Sequence, residues 1–87
     1  MINKKYRKLA HVLQALGHPA RLAMAKGLAD NACQVNKIVK GLKLPQSTVS
    51  QHLRVLKAAG VVKGERKGVS ICYRVTDKFV RRIISQI

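Results

Sequence analysis

The stretch Pro45-Gln46-Ser47-Thr48-Val49-Ser50-Gln51-His52-Leu53-Arg54-Val55-Leu56-Lys57 says more than any other part of the chain. Placed on a helix of about 3.6 residues per turn, Val49, Leu53 and Leu56 fall on one stripe that can pack inward. The opposite side collects Ser47, Thr48, Ser50, Gln51 and Arg54. An ordinary solvated helix face carries Glu and Lys pairs four residues apart, and this one has no carboxylate at all. Hydroxyls, an amide and a guanidinium, free of negative charge, suit a helix that enters the major groove of DNA and reads base edges. With Gln46 at its start and His52 beside the core stripe, residues Gln46, Ser47, Thr48, Ser50, Gln51, His52 and Arg54 are the candidate recognition set.

Working outward, Lys43-Leu44-Pro45 reads as a tight turn into this helix, and Ala58-Ala59-Gly60 as its end. Upstream, Asn36 is a good N-cap for a short helix with Ile38, Val39 and Leu42 inward. Cys33-Gln34-Val35 before it can be a short extended piece. A helix from Pro19 is expected to turn Leu22, Ala25 and Leu28 or Ala29 inward, and Asp30-Asn31 stops it. A first helix over about 4–16, on the stripe Leu9, Val12, Leu13 and Leu16, ends at Gly17.

Downstream of Gly60 the period changes. Val61-Val62, the Gly-flanked basic turn Lys63 to Gly68, and Val69 to Val75 read as a hairpin, with Ile71, Tyr73 and Val75 on one side. Thr76 then caps a last helix, about 77–87, carrying Phe79, Val80, Ile83 and Ile84. The order ααααββα is mainly α with a small β-hairpin wing, the plan of a winged helix-turn-helix spanning 1–87 as one domain. Lys63, Arg66 and Lys67 sit where a wing would reach the DNA backbone.

Charge agrees with that plan. Eighteen Lys and Arg against three acids give +15 over 87 residues. Self-repulsion at this density opposes compactness, and its natural use is a polyanion, whose counterions are released on binding. A basic membrane-surface helix fits less well, since Tyr6, Phe79 and Tyr73 are scattered and Trp is absent. No run of 18 apolar residues exists, and no apolar segment follows the basic N-terminus, so a cytoplasmic protein is expected.

A chain this short buries only about 60–65% of its unfolded surface, which makes oligomerisation a reasonable expectation. The terminal helices carry more apolar side chains than one small core needs. Leu9, Val12, Leu13, Leu16, Phe79, Val80, Ile83 and Ile84 are therefore the candidate dimer interface, and a two-fold dimer would read a two-fold symmetric site.

Several blocks resemble the ArsR/SmtB family of bacterial winged-helix repressors. They are Ala15-Leu16-Gly17-His18-Pro19-Ala20-Arg21-Leu22, Leu44-Pro45-Gln46-Ser47-Thr48-Val49-Ser50-Gln51-His52-Leu53, and Leu56-Lys57-Ala58-Ala59-Gly60-Val61-Val62 leading to Cys72-Tyr73-Arg74-Val75. The resemblance spans roughly residues 6 to 80. It implies a homodimeric repressor that binds an inverted-repeat operator and leaves it when an inducer binds.

Many family members sense metals through a Leu-Cys-Val-Cys-Asp box, which aligns with Cys33-Gln34-Val35-Asn36-Lys37. Two amides and a cation replace the ligand cysteines and the acid, and Cys33 falls on the box's apolar position. A second family site, on the last helix, uses Asp and His pairs followed by His and Glu; only Asp77 matches. Thiolates and carboxylates hold soft and borderline metals, so no metal and no cofactor are expected.

Cys33 and Cys72 are the candidates for a redox switch. Nearby cations could lower a thiol pKa. Strand parity opposes it, because Cys72 would point away from the face of Ile71 and Tyr73, and buried free Cys is usually a small hydrophobe. His11, His18 and His52 lack an acid or thiolate neighbour that would make them ligands. Ser47, Ser50 and His52 lack an orienting acid, and there is no phosphate-binding Gly loop, so an enzyme is not expected.

Two readings follow. One is a sequence-specific dimeric repressor whose partner is double-stranded DNA; the other is a nonspecific architectural or RNA-binding protein. The operator and the inducer are not written in the chain.

Overall fold

The computed structural model describes residues 1–30 and 35–87. Five helices and one hairpin follow in the order α1 (Lys4–Leu16), α2 (Pro19–Asp30), α3 (Val35–Leu42), α4 (Gln46–Ala58), β1 (Val62–Lys67), β2 (Ser70–Val75) and α5 (Lys78–Ser85). This is a winged helix-turn-helix with the expected element order.

Local chemistry sets the boundaries. The Asn3 side chain accepts the Tyr6 amide at 3.1 Å and caps α1, while His18 Nδ1 accepts the Ala20 amide at 3.1 Å and opens α2. Lys43 ends α3 in the left-handed region, φ 55°. α4 starts after Pro45, which supplies no side-chain cap, and ends through Gly60 at φ +77°. There the Gly60 and Val61 amides donate to the Lys57 and Leu56 carbonyls, both at 3.0 Å, in a Schellman arrangement.

α2 lies at the centre, packed by α1, α3, α4, α5 and β2. The core joins Val12, Ala15 and Leu16 of α1 to Met24, Ala25 and Leu28 of α2, Val49 and Leu56 of α4, Val61, Val62 and Val75 of the hairpin, and Val80 and Ile84 of α5. No buried side-chain polar atom among the described residues lacks a hydrogen-bond partner.

Three sequence expectations shift. Val35 belongs to α3, so Asn36 lies inside the first turn instead of capping it; Cys33 and Gln34 of the expected extended piece fall outside the described residues. Asp77, not Thr76, caps α5, its carboxylate accepting the Val80 amide at 3.0 Å.

The wing is longer than its sequence suggests. Lys63 to Lys67 belong to β1, and the turn is only Gly68-Val69, with Gly68 at φ +64° as the first residue of a two-residue loop. A ribbon wetted on most of its surface needs no apolar alternation, so that signal is missing from Lys63 to Lys67. Cys72 is buried, whereas Ile71 on the opposite face is 41% exposed. The Val62–Val75 end of the hairpin belongs to the core, and Cys72 lies on the ribbon face opposite Ile71 and Tyr73, as strand parity predicts, and is buried there.

Candidate nucleic-acid interface

α4 presents its outer side as the stripe predicts. Val49 and Leu56 are buried and Leu53 is half-buried, which leaves Gln46, Ser47, Ser50, Gln51 and Arg54 exposed. Thr48 is half-buried on the flank. His52 is also half-buried, its ring centroid 4.5 Å from that of His18 at 50°. Its imidazole therefore packs at the start of α2 and does not share the outward side with Gln51. Burial, then His18 and Arg21, hold its pKa below the ordinary imidazole value of 6.5.

Lys63, Arg66 and Lys67 are exposed along β1. Lys63 and Lys67 lie on the same ribbon face as Glu65, and Arg66 on the other, because side chains alternate along a strand. The wing's cations thus point to both sides of a narrow hairpin.

The acids leave this surface free. Asp30 pairs with Lys26 at 3.8 Å, Glu65 with Arg74 at 3.7 Å, and Asp77 is engaged at the start of α5. Exposed ion pairs of this kind add little stability. Their effect here is electrostatic, because the chain's few carboxylates each sit beside a cation or an amide and α4 carries none.

Lys57 was missed by the sequence reading. It lies one turn beyond Arg54 on α4, and its Nζ stands 5.8 Å from the Tyr73 ring centroid. Its spacing from Arg54 (i, i+3) was the available signal, but the ring beneath it comes from a strand 16 positions later in the sequence and gives no local sign.

The terminal helices divide. Val12, Leu16, Val80 and Ile84 are buried in the protomer's own core. Leu13 is 49% and Phe79 41% exposed, Leu9 and Ile83 are half-buried, and Tyr6 and Ile2 add apolar surface near the N-terminus. Half of the expected dimer residues therefore serve the fold of one protomer. Cys72 is disulfide-bonded, and the other cysteine of the sequence, Cys33, lies outside the described residues. Among the described residues no group of three His, Cys, Asp or Glu side chains is placed to hold a metal ion, and no helix is long and apolar enough to cross a membrane.

Comparison with known proteins places this arrangement. The model of the family described as bacterial regulatory protein, arsR family, matches residues 18–63. An uncharacterized HTH-type transcriptional regulator of Methanocaldococcus jannaschii is 42% identical over 97% of this chain and 96% of its own length. The crystal structure of the transcriptional repressor PagR of Bacillus anthracis superposes with a TM-score of 0.83, at 36% identity, covering 94% of each chain. A homodimeric winged helix-turn-helix DNA-binding domain of Mycobacterium bovis, called a possible ArsR-family regulator, gives 0.79 at 27% identity, over 99% of this chain and 82% of that one. With the family model covering more than half of the chain and the fold matching throughout, this protein is a DNA-binding transcriptional regulator of the arsR family and not an enzyme.

Proposed function

We propose that the chain acts as a homodimeric repressor that binds an inverted-repeat operator in double-stranded DNA. The observation that carries this is the acid-free outward side of α4, with Ser47, Ser50, Gln51 and Arg54 exposed together. Gln51 and Arg54 are long enough to reach base edges, and Ser47 and Ser50 suit bases or nearby phosphates. Lys63, Arg66 and Lys67 would neutralise flanking backbone. The PagR likeness supports repression, and the homodimeric Mycobacterium domain supports pairing through the exposed part of the terminal helices.

The test is recovery of genomic fragments by the purified protein at about 150 mM salt, where nonspecific binding is already weak. One or a few fragments sharing an inverted repeat, bound about 10³-fold or more above unrelated DNA, are the expected result. Fragments without a common sequence would replace this reading with the charge-driven architectural one. Within the specific complex, Gln51→Ala lowers the specific-to-nonspecific ratio. Lys67→Ala weakens all DNA similarly and flattens the salt slope by about one unit.

For release from DNA we favour a thiol signal over a metal. Two supports are the replaced ligand positions Asn36 and Lys37 and Cys72 of wing strand β2, which is buried and disulfide-bonded. A bond there would tie the hairpin to the body and change how the wing meets the backbone. Operator affinity measured in dithiothreitol and after diamide should differ for the wild type and be equal for Cys72→Ser and Cys33→Ser. Equal affinities for the wild type in both states would remove the thiol reading and leave the DNA-binding one intact.

A further inference from the structure

Independent observations meet at the base of the wing. In the hairpin register Gly64 lies opposite Tyr73 and Arg66 opposite Ile71, so all four residues share one ribbon face. On that face the Tyr73 ring lies close over Gly64. A Cβ at position 64 would stand 3.0 Å from Tyr73 Cε1 and 3.4 Å from Ile71 Cγ2. A ring held in this way meets α4, where Lys57 Nζ is 5.8 Å from its centroid. Lys57, Gly64, Arg66, Ile71 and Tyr73 together line an open hollow of about 250 Å³. That is room for a tetrahedral anion and several waters, at roughly 30 Å³ for each water. No acid lines it, since Glu65 lies on the other ribbon face beside Arg74.

We infer that this hollow is a phosphate clamp: Lys57 of the recognition helix and Arg66 of the wing grip one DNA backbone phosphate across the Tyr73 ring. Tyr73 is the positioning residue, and Gly64 is the residue that lets its ring lie there. The inference rests on the DNA-binding reading and adds a site at the junction of helix and wing. With α4 in the major groove and the hairpin along the flanking backbone, the hollow faces the strand that runs between them. A free lysine gives up rotamer freedom when it binds, and an aromatic face beneath the ammonium restricts it beforehand. The guanidinium of Arg66 supplies the planar fork that matches two phosphate oxygens.

The test is the salt dependence of binding to a labelled mixed-sequence duplex, followed by fluorescence anisotropy. Lys57→Ala and Arg66→Ala are each expected to lose roughly threefold to tenfold in affinity at low salt and to flatten the salt slope by less than about one unit, because the remaining cation still neutralises the phosphate. Because both residues hold the same phosphate, the double variant flattens the slope by about one unit and not two. Tyr73→Phe keeps wild-type binding. In a Tyr73→Leu background, Lys57→Ala costs less than in the wild type. Both cations are exposed, so their variants report even where Tyr73→Leu fails to fold. Unchanged affinity for Lys57→Ala, or a slope change of about two units in the double variant, would overturn the shared clamp. Additive losses for Tyr73→Leu and Lys57→Ala would overturn the positioning role. A wild type that binds no duplex would overturn the clamp together with the reading it rests on.

Discussion

His52 shows how little of a side chain's surroundings its sequence position reveals. Its offset from Val49 and Leu56 puts it on the flank of α4, and only the fold supplies His18 and Arg21 as neighbours. Burial, then His18 and Arg21, disfavour the charged imidazolium, so the folded-state pKa lies below the unfolded value near 6.5. The unfolded chain then binds more protons in the window below 6.5, and stability is lost as pH falls through it. Above 6.5 the contribution is fully present. We therefore expect the urea midpoint of the wild type to drop between pH 7 and pH 5.5 more steeply than that of His52→Gln. Parallel pH profiles for the two proteins would assign the drop to other groups. The three acids make a similar point. The sequence counts them, but only the fold shows that each is engaged beside a cation or a backbone amide.

Among the elements, those whose apolar residues form one continuous stripe were legible. α1 and α4 begin and end where Leu9-Val12-Leu16 and Val49-Leu53-Leu56 predict. The turn from α4 into the wing was legible too, through Gly60. Its left-handed φ of +77° and the Leu56 and Lys57 carbonyls it helps to satisfy make Gly60→Ala costly even though the space around it is open. The expected loss is about 1–2 kcal/mol, read as a lower denaturation midpoint, with weaker DNA binding as the wing loses its angle to the recognition helix. Less legible were elements defined by hydrogen bonding alone. Thr76 and Asp77 are both good capping residues, and which one serves depends on where the hairpin delivers the chain. Asp77→Ala should cost about 1 kcal/mol and Thr76→Ala close to nothing. The reverse order in chemical denaturation would restore Thr76 as the cap. β1 was misjudged for a related reason. Lys63, Gly64, Glu65 and Lys67 have weak strand propensity, and pairing with Ser70 to Arg74 overrides it.

At the scale of the molecule, two demands compete for the same helices. A chain of 87 residues must take part of its core from α1 and α5, so Val12, Leu16, Val80 and Ile84 turn inward. The sequence period could not separate these from Leu13 and Phe79, because in both helices the two sets lie on adjoining faces of one broad apolar side. The division yields a paired prediction. Val80→Asp places an uncompensated charge in the core and should cost about 3–5 kcal/mol, unfolding most of the protein. Leu13→Asp changes a residue that is half exposed in the protomer and should leave helical content intact. If the exposed part of α1 and α5 is where two copies meet, Leu13→Asp and Phe79→Asp shift the protein to monomer in sedimentation. Each would also weaken operator binding, because two half-sites are then engaged by separate molecules. Because a dimer is stabilised by mass action, the wild-type melting temperature should rise with protein concentration and that of Leu13→Asp should not. A wild type that is monomeric at micromolar concentration, or a Leu13→Asp variant that stays dimeric, would move the interface away from these helices. The high charge makes the same experiment informative about salt. Two copies with +15 each repel one another, so raising salt should tighten the protein's self-association while it loosens DNA, and the best operator binding then falls between those opposing trends.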